Sequence, residues 1–263
     1  MLPSHPDKDF PWWLVVAVAI LGYMLWRVVA DALYYQVLVT LTKGIEITVF
    51  VTLVSFTMAC GMGLLLAVAS LSRFIVLRQC ARFYIEIVRG VPIIVLLLYV
   101  AFVLSPAIVA GYNGLRDAVG LDPIRARDFN LLWRAVIALT VGYSAFIAEV
   151  FRAGLQSIER GQIEAAEALG LRPFHRFRHI VFPQAFRRIL PPLGNDFVAM
   201  VKDSSLVSVL GVSDVTQLGK ITAAGNFRYF ETYNVVALIY LIMTISLSLA
   251  LRRLEHRLRQ RQG

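Results

Sequence analysis

Residues 195–205 read NDFVAMVKDSS and set Asn195, Asp196, Lys202, Asp203, Ser204 and Ser205 inside an otherwise apolar run. Ionisable groups at membrane depth are expensive, and they normally face a bundle interior or an aqueous path. At about 100° per residue, Asn195, Lys202 and Ser205 share one helical stripe. Asp196 and Asp203 share another, about a quarter turn away. Lys202 and Asp203 are sequence neighbours, so they do not pair on one helix face. Each finds a partner on another helix, or meets a solute or water. Two structural readings stand beside solute contact: a buried polar network, and a helix break that puts these residues at an interface.

Other chemistry has no residues to stand on. There is no GxxxxGK[ST] phosphate loop, since Gly219-Lys220 is followed by Ile221 and lacks the upstream Gly. The chain is therefore not expected to bind ATP by itself. There is no HExxH and no GxSxG elbow. His175 and His179 are spaced i, i+4, but no Glu follows His175 and the segment is rich in Arg. They read as solvated loop residues rather than metal ligands. The remaining histidines are His5 and His256. Cys60 lies in an apolar span and Cys80 in a basic loop, which suits neither a disulfide framework nor a metal site.

The elements that position these residues are membrane helices. Of 263 residues, 58% are hydrophobic and 16% charged, and the mean hydropathy is +0.69. That is too apolar for an ordinary soluble domain. The composition predicts an all-α, polytopic helical bundle. Six apolar stretches fit a hydrocarbon layer of roughly 30 Å. They lie near 12–30, 45–71, 83–104, 131–151, 191–211 and 233–251.

The formal charge is +9, and its placement reads as a topology signal rather than a nucleic-acid footprint. Arg73, Arg78, Arg82 and Arg89 lie between or beside spans two and three. Arg152, Arg160, Arg172, Arg176, Arg178, Arg187 and Arg188 lie between spans four and five. Arg252, Arg253, Arg257, Arg259 and Arg261 follow span six. All three groups fall on one side, which makes that side, and both termini, cytoplasmic. The opposite loop near 115–128 mixes its basic residues with Asp117, Asp122 and Asp128.

The first span is expected to be retained, although Ala30-Asp31-Ala32 mimics a cleavage site. Its apolar run exceeds a signal-peptide core, and Lys8 is mixed with Asp7 and Asp9 before it. Trp12, Trp13, Trp26, Tyr34 and Tyr35 suit headgroup-level anchors or ordinary packing. Ala59, Gly61, Gly63 and Ala67 form a small-residue surface for close helix packing.

One hydrophilic stretch, Glu149 to Pro192, interrupts this pattern. Within it, Gln162 to Leu169 (QIEAAEAL) is built of good helix formers. Glu164 and Glu167 are read as early residues that complement the helix dipole. Gly170 is the expected stop, because glycine takes the left-handed conformation cheaply. Ala165, Ala168 and Leu169 fall at i, i+3, i+4, a narrow face that a partner could approach closely. Pro173 opens a basic segment that runs to Pro183.

Glu164, Ala165, Ala166, Gly170, Ile180 and Pro183 stand at the positions of E-A-A, Gly and I-x-x-P. The stretch resembles the EAA loop of ATP-binding-cassette importer permeases, with Phe182 where Leu is usual. The text SAFIAEVFRAGLQSI, PQAF, PPLGNDF and KDSSLVSVLGVSDVT resembles the subfamily that imports polar amino acids. Arg89-Gly90-Val91-Pro92 resembles its R-G-x-P, with structural and mechanistic roles both open for Arg89. The resemblance covers roughly Lys43 to Leu254.

The resemblance implies a type I ABC importer permease in the bacterial inner membrane. It divides the chain into 1–42 with an added leading helix, a transmembrane domain at 43–254 and a basic tail at 255–263. The coupling loop is near 152–190. Two permease chains, identical or related, form the path, and two separate ATPase subunits use ATP-Mg. An extracytoplasmic binding protein delivers the solute. Glu164, Ala165, Ala166, Leu169, Gly170 and Pro183 would couple to the ATPase. Asn195, Lys202, Asp203, Ser204 and Ser205 would line the path, where their charges could match the carboxylate and ammonium of an amino acid. The competing readings are a membrane scaffold that recruits a cytosolic partner, a self-sufficient carrier, and a permease for another small solute.

Overall fold

The computed structural model describes residues 12–125 and 129–260, without the side chains of 13, 14 and 258–260. Lys8, Asp7, Asp9, His5, Asp128 and Arg261, and the side chains of Trp13 and Arg259, lie outside the described residues. Among those described, every regular element is helical. The chain runs through α1 (Trp12–Ala30), α2 (Ala32–Ser70), α3 (Ile75–Gly90), α4 (Ile93–Tyr99), a π turn (Val100–Leu104) and α5 (Ser105–Ala118). It continues through α6 (Leu131–Gln156), α7 (Arg160–Ala168), α8 (Pro173–Arg176), a π turn (Phe177–Val181) and α9 (Phe182–Asp203). A 3₁₀ helix (Ser204–Leu210), α10 (Val215–Asn226) and α11 (Tyr229–Gln260) follow.

Four helical stretches are long and apolar enough to cross a membrane: Ala32–Ser70, Ile93–Ala118, Leu131–Gln156 and Tyr229–Arg257. A shorter apolar helix, Val15–Ala30, precedes them. The fifth expected span is the polar one, α9 with its 3₁₀ extension, and it packs against α2, α6 and α11. Two expected boundaries are corrected. The third span does not begin at 83, because Val91 is extended (φ −98°, ψ 132°) and splits α3 from α4. Pro92 forces that, since its ring disfavours the helical conformation in the residue before it. The fifth begins at Phe182 rather than 191, and Pro191 and Pro192 sit inside the helix.

α2 and α6 form the centre. Thr48, Thr52, Ser55, Ala59, Gly63 and Ala67 recur every three or four residues on α2, and all are buried. The stripe is small so that the two backbones can approach. A Cβ on Gly63 would lie 2.8 Å from Ile147 Cγ2 and 3.0 Å from the Ser144 carbonyl. Gly61, expected on the same surface, faces open space instead. Ser55 Oγ donates to the Val136 carbonyl at 3.2 Å. Tyr84 ties α3 to α6 through the Val141 carbonyl at 3.0 Å. Within the membrane such bonds satisfy groups that water cannot reach.

The leading helix is joined to this core by Asp31. That residue caps α2, accepting from Leu33 N at 2.9 Å, and pairs with Arg27 at 3.3 Å. Val28, Tyr34, Val37 and Leu41 pack with Val215, Val235 and Ile239. Tyr34 is therefore a core residue beneath the Arg27 guanidinium, not an interfacial anchor, whereas Trp12, Trp26 and Tyr35 are exposed. At Gly44 the backbone of α10 comes so close that a Cβ would lie 2.5 Å from Val215 N. α2 runs without a break across residues 42 and 43.

Candidate functional site

Two regions bring the polar residues together. The first is α7. It starts at Arg160 after Glu159, two residues earlier than expected, and has no acidic residue in its first turn. Glu164 and Glu167 therefore lie too far along to complement the dipole, which acts within the first turn. Glu167 is instead ion-paired with Arg176. The end of the helix follows expectation. Gly170 has φ +73°, Leu171 N donates to the Ala166 carbonyl at 3.1 Å, and Gly170 N donates to the Glu167 carbonyl at 2.9 Å. That pair of bonds is a Schellman cap. A side chain at 170 would meet nothing within 4 Å, so the requirement is for conformation and not for room.

The cap fixes which way α7 faces. Ala166 is buried, and half-buried Ile163 packs on Ile158, Ala185 and Ile189. Ala165, Ala168 and Leu169 point away from the protein with Glu164, and Leu169 is 81% exposed. Contacts with the returning chain hold the helix in place. Arg188 donates to the Ser157 carbonyl, and Gln184 donates to Gln162. Pro183 is the second residue of α9, one residue past the end of the π turn Phe177–Val181. His175 and His179 stack with centroids 6.0 Å apart, and no metal-holding group occurs among the described residues. Sequence reading missed the exposed aromatics beside α7. Phe177, Phe182 and Phe186 form a chain of ring contacts at about 6 Å, and Phe174 is 70% exposed. Their spacing on the returning helix was the available signal.

The second region is a cavity of about 570 Å³ where α3 meets α4, against α6 and α9. Arg89, Pro92, Tyr143, Phe146, Asp196 and Asp203 line it. Asp196 and Asp203 are seven residues apart, so both face the cavity about 10 Å apart along the axis. Tyr143 donates its hydroxyl to Asp203 Oδ2 at 2.8 Å. Asp196 Oδ2 is buried and accepts no hydrogen bond from the described residues. Arg89 lies 5.7 Å over the Phe146 ring. One cavity thus offers two carboxylates, a guanidinium and an aromatic face.

The other polar residues are distributed differently. Lys202 lies on another face of α9, in a cavity of about 370 Å³ with Thr244, Ser248 and Arg252. Ser204 is fully buried and donates to the Val201 carbonyl at 2.7 Å. Ser205 is half-buried and Asn195 exposed. The Asp and Lys stripes expected from helical geometry therefore serve separate cavities. Arg89 and Tyr143 are far from Asp203 in sequence, and only R-G-x-P hinted at one of them.

A membrane-crossing helical bundle, broken by a hydrophilic loop with an outward-facing helix and lined by a polar cavity, is the architecture of a transport component. The chain matches the family of binding-protein-dependent transport system inner membrane components over residues 59–261, and it belongs to that family. It is a transport subunit and not an enzyme. It is 36% identical over 219 residues to the glutamine transport system permease protein GlnP of Escherichia coli (strain K12), covering 83% of this chain and 93% of that protein. It is also 36% identical over 210 residues to the probable amino-acid permease protein YxeN of Bacillus subtilis (strain 168), with 80% and 87% covered. A crystal structure of an amino acid ABC transporter with histidines matches with TM-score 0.70 at 34% identity, over 87% of this chain and 97% of that one. The MetNI methionine ABC transporter, inward facing, shares the fold at TM-score 0.62 and 23% identity, over 83% and 96%.

Proposed function

We propose that this chain forms the translocation path of an ATP-binding-cassette importer for a polar amino acid and is driven through α7. The observation that carries the reading is the outward face Ala165–Ala168–Leu169 on a helix whose end is fixed by Gly170. Small side chains let a cleft close on the backbone, and Leu169 supplies one apolar anchor. The partner is a pair of ATPase subunits that hold ATP-Mg; this chain holds no cofactor. A second permease chain, identical or related, completes the path, and an extracytoplasmic binding protein delivers the solute. Both termini and the loop near 152–190 are cytoplasmic in this reading, following the arginine asymmetry. The segment 1–42 contributes a leading helix to the domain at 43–254, and 255–263 is a basic tail. Nucleotide-driven closure of the ATPases biases a two-state bundle through a rigid contact.

Within the bundle, the cavity of Asp196 and Asp203 receives the ammonium of the amino acid, and Arg89 at its rim matches the carboxylate. A second reading is favoured by one observation: Lys202, Arg252, Thr244 and Ser248 converge in their own cavity, which suits a carboxylate. Relatives named for glutamine and other amino acids support the substrate class. The test is reconstitution in proteoliposomes with candidate ATPases and binding proteins, followed by uptake of labelled amino acids. ATP-dependent uptake of a polar amino acid that requires both partners is expected. Uptake without the ATPase would make the chain a self-sufficient carrier. No uptake of any amino acid would remove the substrate class.

A further inference from the structure

We propose that the end of α2 and the start of α3 form a binding site for one anionic phospholipid. A groove of about 770 Å³ runs along the last turns of α2 and under the first turn of α3. Leu65, Leu66, Ala69, Leu71 and Leu77 line it, and Arg73 stands at its edge. The turn between the helices is held by its own bonds. Phe74 N donates to Ser72 Oγ at 3.2 Å, and Arg78 Nη1 donates to the Ser72 carbonyl at 3.2 Å. The Arg78 guanidinium is thereby held against the turn that carries Arg73, the arginine that lines the end of the apolar groove. Between Leu71 and Ile85 the chain carries Arg73, Arg78 and Arg82 and no acidic residue.

α3 itself lies as an interfacial helix. Ala81, Ile85 and Val88 are buried against the bundle. Val76, Phe83 and Ile87 recur on another face and are exposed, Val76 at 72% and Phe83 at 70%. An amphipathic helix with arginines beside an open apolar stripe rests in the headgroup region, with that stripe among acyl chains. The groove is therefore at the depth where a lipid passes from acyl chain to phosphate. Guanidinium groups bind phosphate with paired hydrogen bonds, and basic clusters flanking a span select anionic headgroups.

A second copy of the chain fits the same surface poorly. A two-fold contact repeats one patch on itself, and here it would set Arg73 against its own copy, with no acidic residue between Leu71 and Ile85 to offset it. This proposal uses only the membrane spans and α3, so it stands apart from the amino-acid reading.

The test uses the full-length chain purified in detergent, with phosphatidylglycerol or phosphatidylcholine added. Retained lipid is counted by native mass spectrometry, and thermal unfolding is followed in parallel. We expect one phosphatidylglycerol to be retained in preference to phosphatidylcholine, and to raise the melting temperature. Replacing Arg73 by Gln should weaken phosphatidylglycerol retention about fivefold without changing the melting temperature in its absence, since the Arg78 bond that holds the turn is kept. Ala69→Trp, which fills the groove and keeps both arginines, should abolish retention of the single lipid. Equal retention of the two lipids, or unchanged phosphatidylglycerol retention in either variant, would overturn the proposal. So would efficient chain-to-chain disulfide crosslinking of Ala69→Cys in a Cys80→Ser background, which would make the groove an interface between copies.

Discussion

Tyr143 on α6 donates a 2.8 Å hydrogen bond to Asp203 near the end of α9, two helices that meet 60 residues apart in the chain. The bond sits in the wall of the cavity that also holds Asp196 and Arg89. Hydrogen bonds to charged groups contribute roughly 1.5–3 kcal/mol. Tyr143→Phe is expected to reduce the initial uptake rate about tenfold while expression is kept. If the two residues act as a unit, Tyr143→Phe combined with Asp203→Asn is no worse than the poorer single variant. Additive losses in that cycle would separate them.

The two cavities on α9 make opposite demands. With the ammonium site at Asp196 and Asp203, Asp196→Asn should lower uptake about tenfold or more, a loss of roughly 1.4 kcal/mol. Lys202→Met should leave at least about half of it, because Lys202 faces Thr244, Ser248 and Arg252. Uptake rates normalised to protein in the membrane decide the matter. The reverse order of effects transfers substrate recognition to the cavity between α9 and α11.

Gly170 tests the coupling helix. Its φ of +73° costs a side-chain-bearing residue on the order of 1–2 kcal/mol. Gly170→Val is expected to leave membrane insertion intact, loosen the cap of α7 and weaken ATPase attachment. Leu169→Asp should weaken attachment without touching the cap. Co-purification of the ATPase in detergent, read beside uptake, is the measurement. Wild-type binding and uptake in both variants would detach α7 from coupling. Glu164→Lys is a poorer probe, because Glu164 lies beyond the first turn.

Orientation can be read from two thiol positions. Cys80 is exposed, and it should be modified by an impermeant maleimide only from the cytoplasmic side. A cysteine at exposed Asp122 should be modified from outside in intact cells. Asn113 is the wrong place for such a probe, since it bonds both the amide and the carbonyl of Ile124 at 2.8 and 2.7 Å. Labelling of position 122 from the cytoplasm alone would invert the topology.

A glycine pair provides an internal control on packing. Gly63→Leu must force α2 away from Ile147 and Ser144, and overpacking of this kind costs about 1–3 kcal/mol. Gly61→Leu enters open space and should be close to neutral. Thermal unfolding of the two purified variants should differ accordingly.

The parts that were legible in the sequence share a physical cause. α7 and its Gly170 stop depend on residues within one short stretch, so propensity and cap chemistry are enough. The small residues Ala59, Gly63 and Ala67 announce a close helix contact through composition alone, although Gly61 shows that composition does not settle the face. Span boundaries were less legible because hydropathy is blind to backbone breaks. Phe83 to Val88 are apolar apart from Glu86, yet Val91 and Pro92 assign them to α3. Hydropathy starts the fifth span near 191, whereas Pro191 and Pro192 are carried inside a helix that begins at Phe182. The cavity could not be assembled beforehand, since Arg89, Tyr143 and Asp203 are joined only by tertiary packing.

α2 has no break between Ala32 and Ser70, and from Tyr34 to Ala67 it covers about 50 Å at helical rise. Its far ends are engaged by different neighbours: Tyr34 and Leu41 mesh with α10 and α11, while Gly63 is pressed against α6. Anchored at both ends, α2 ties the leading helix to the seam with α6, so α1 is joined to the bundle through one continuous helix rather than merely appended to it.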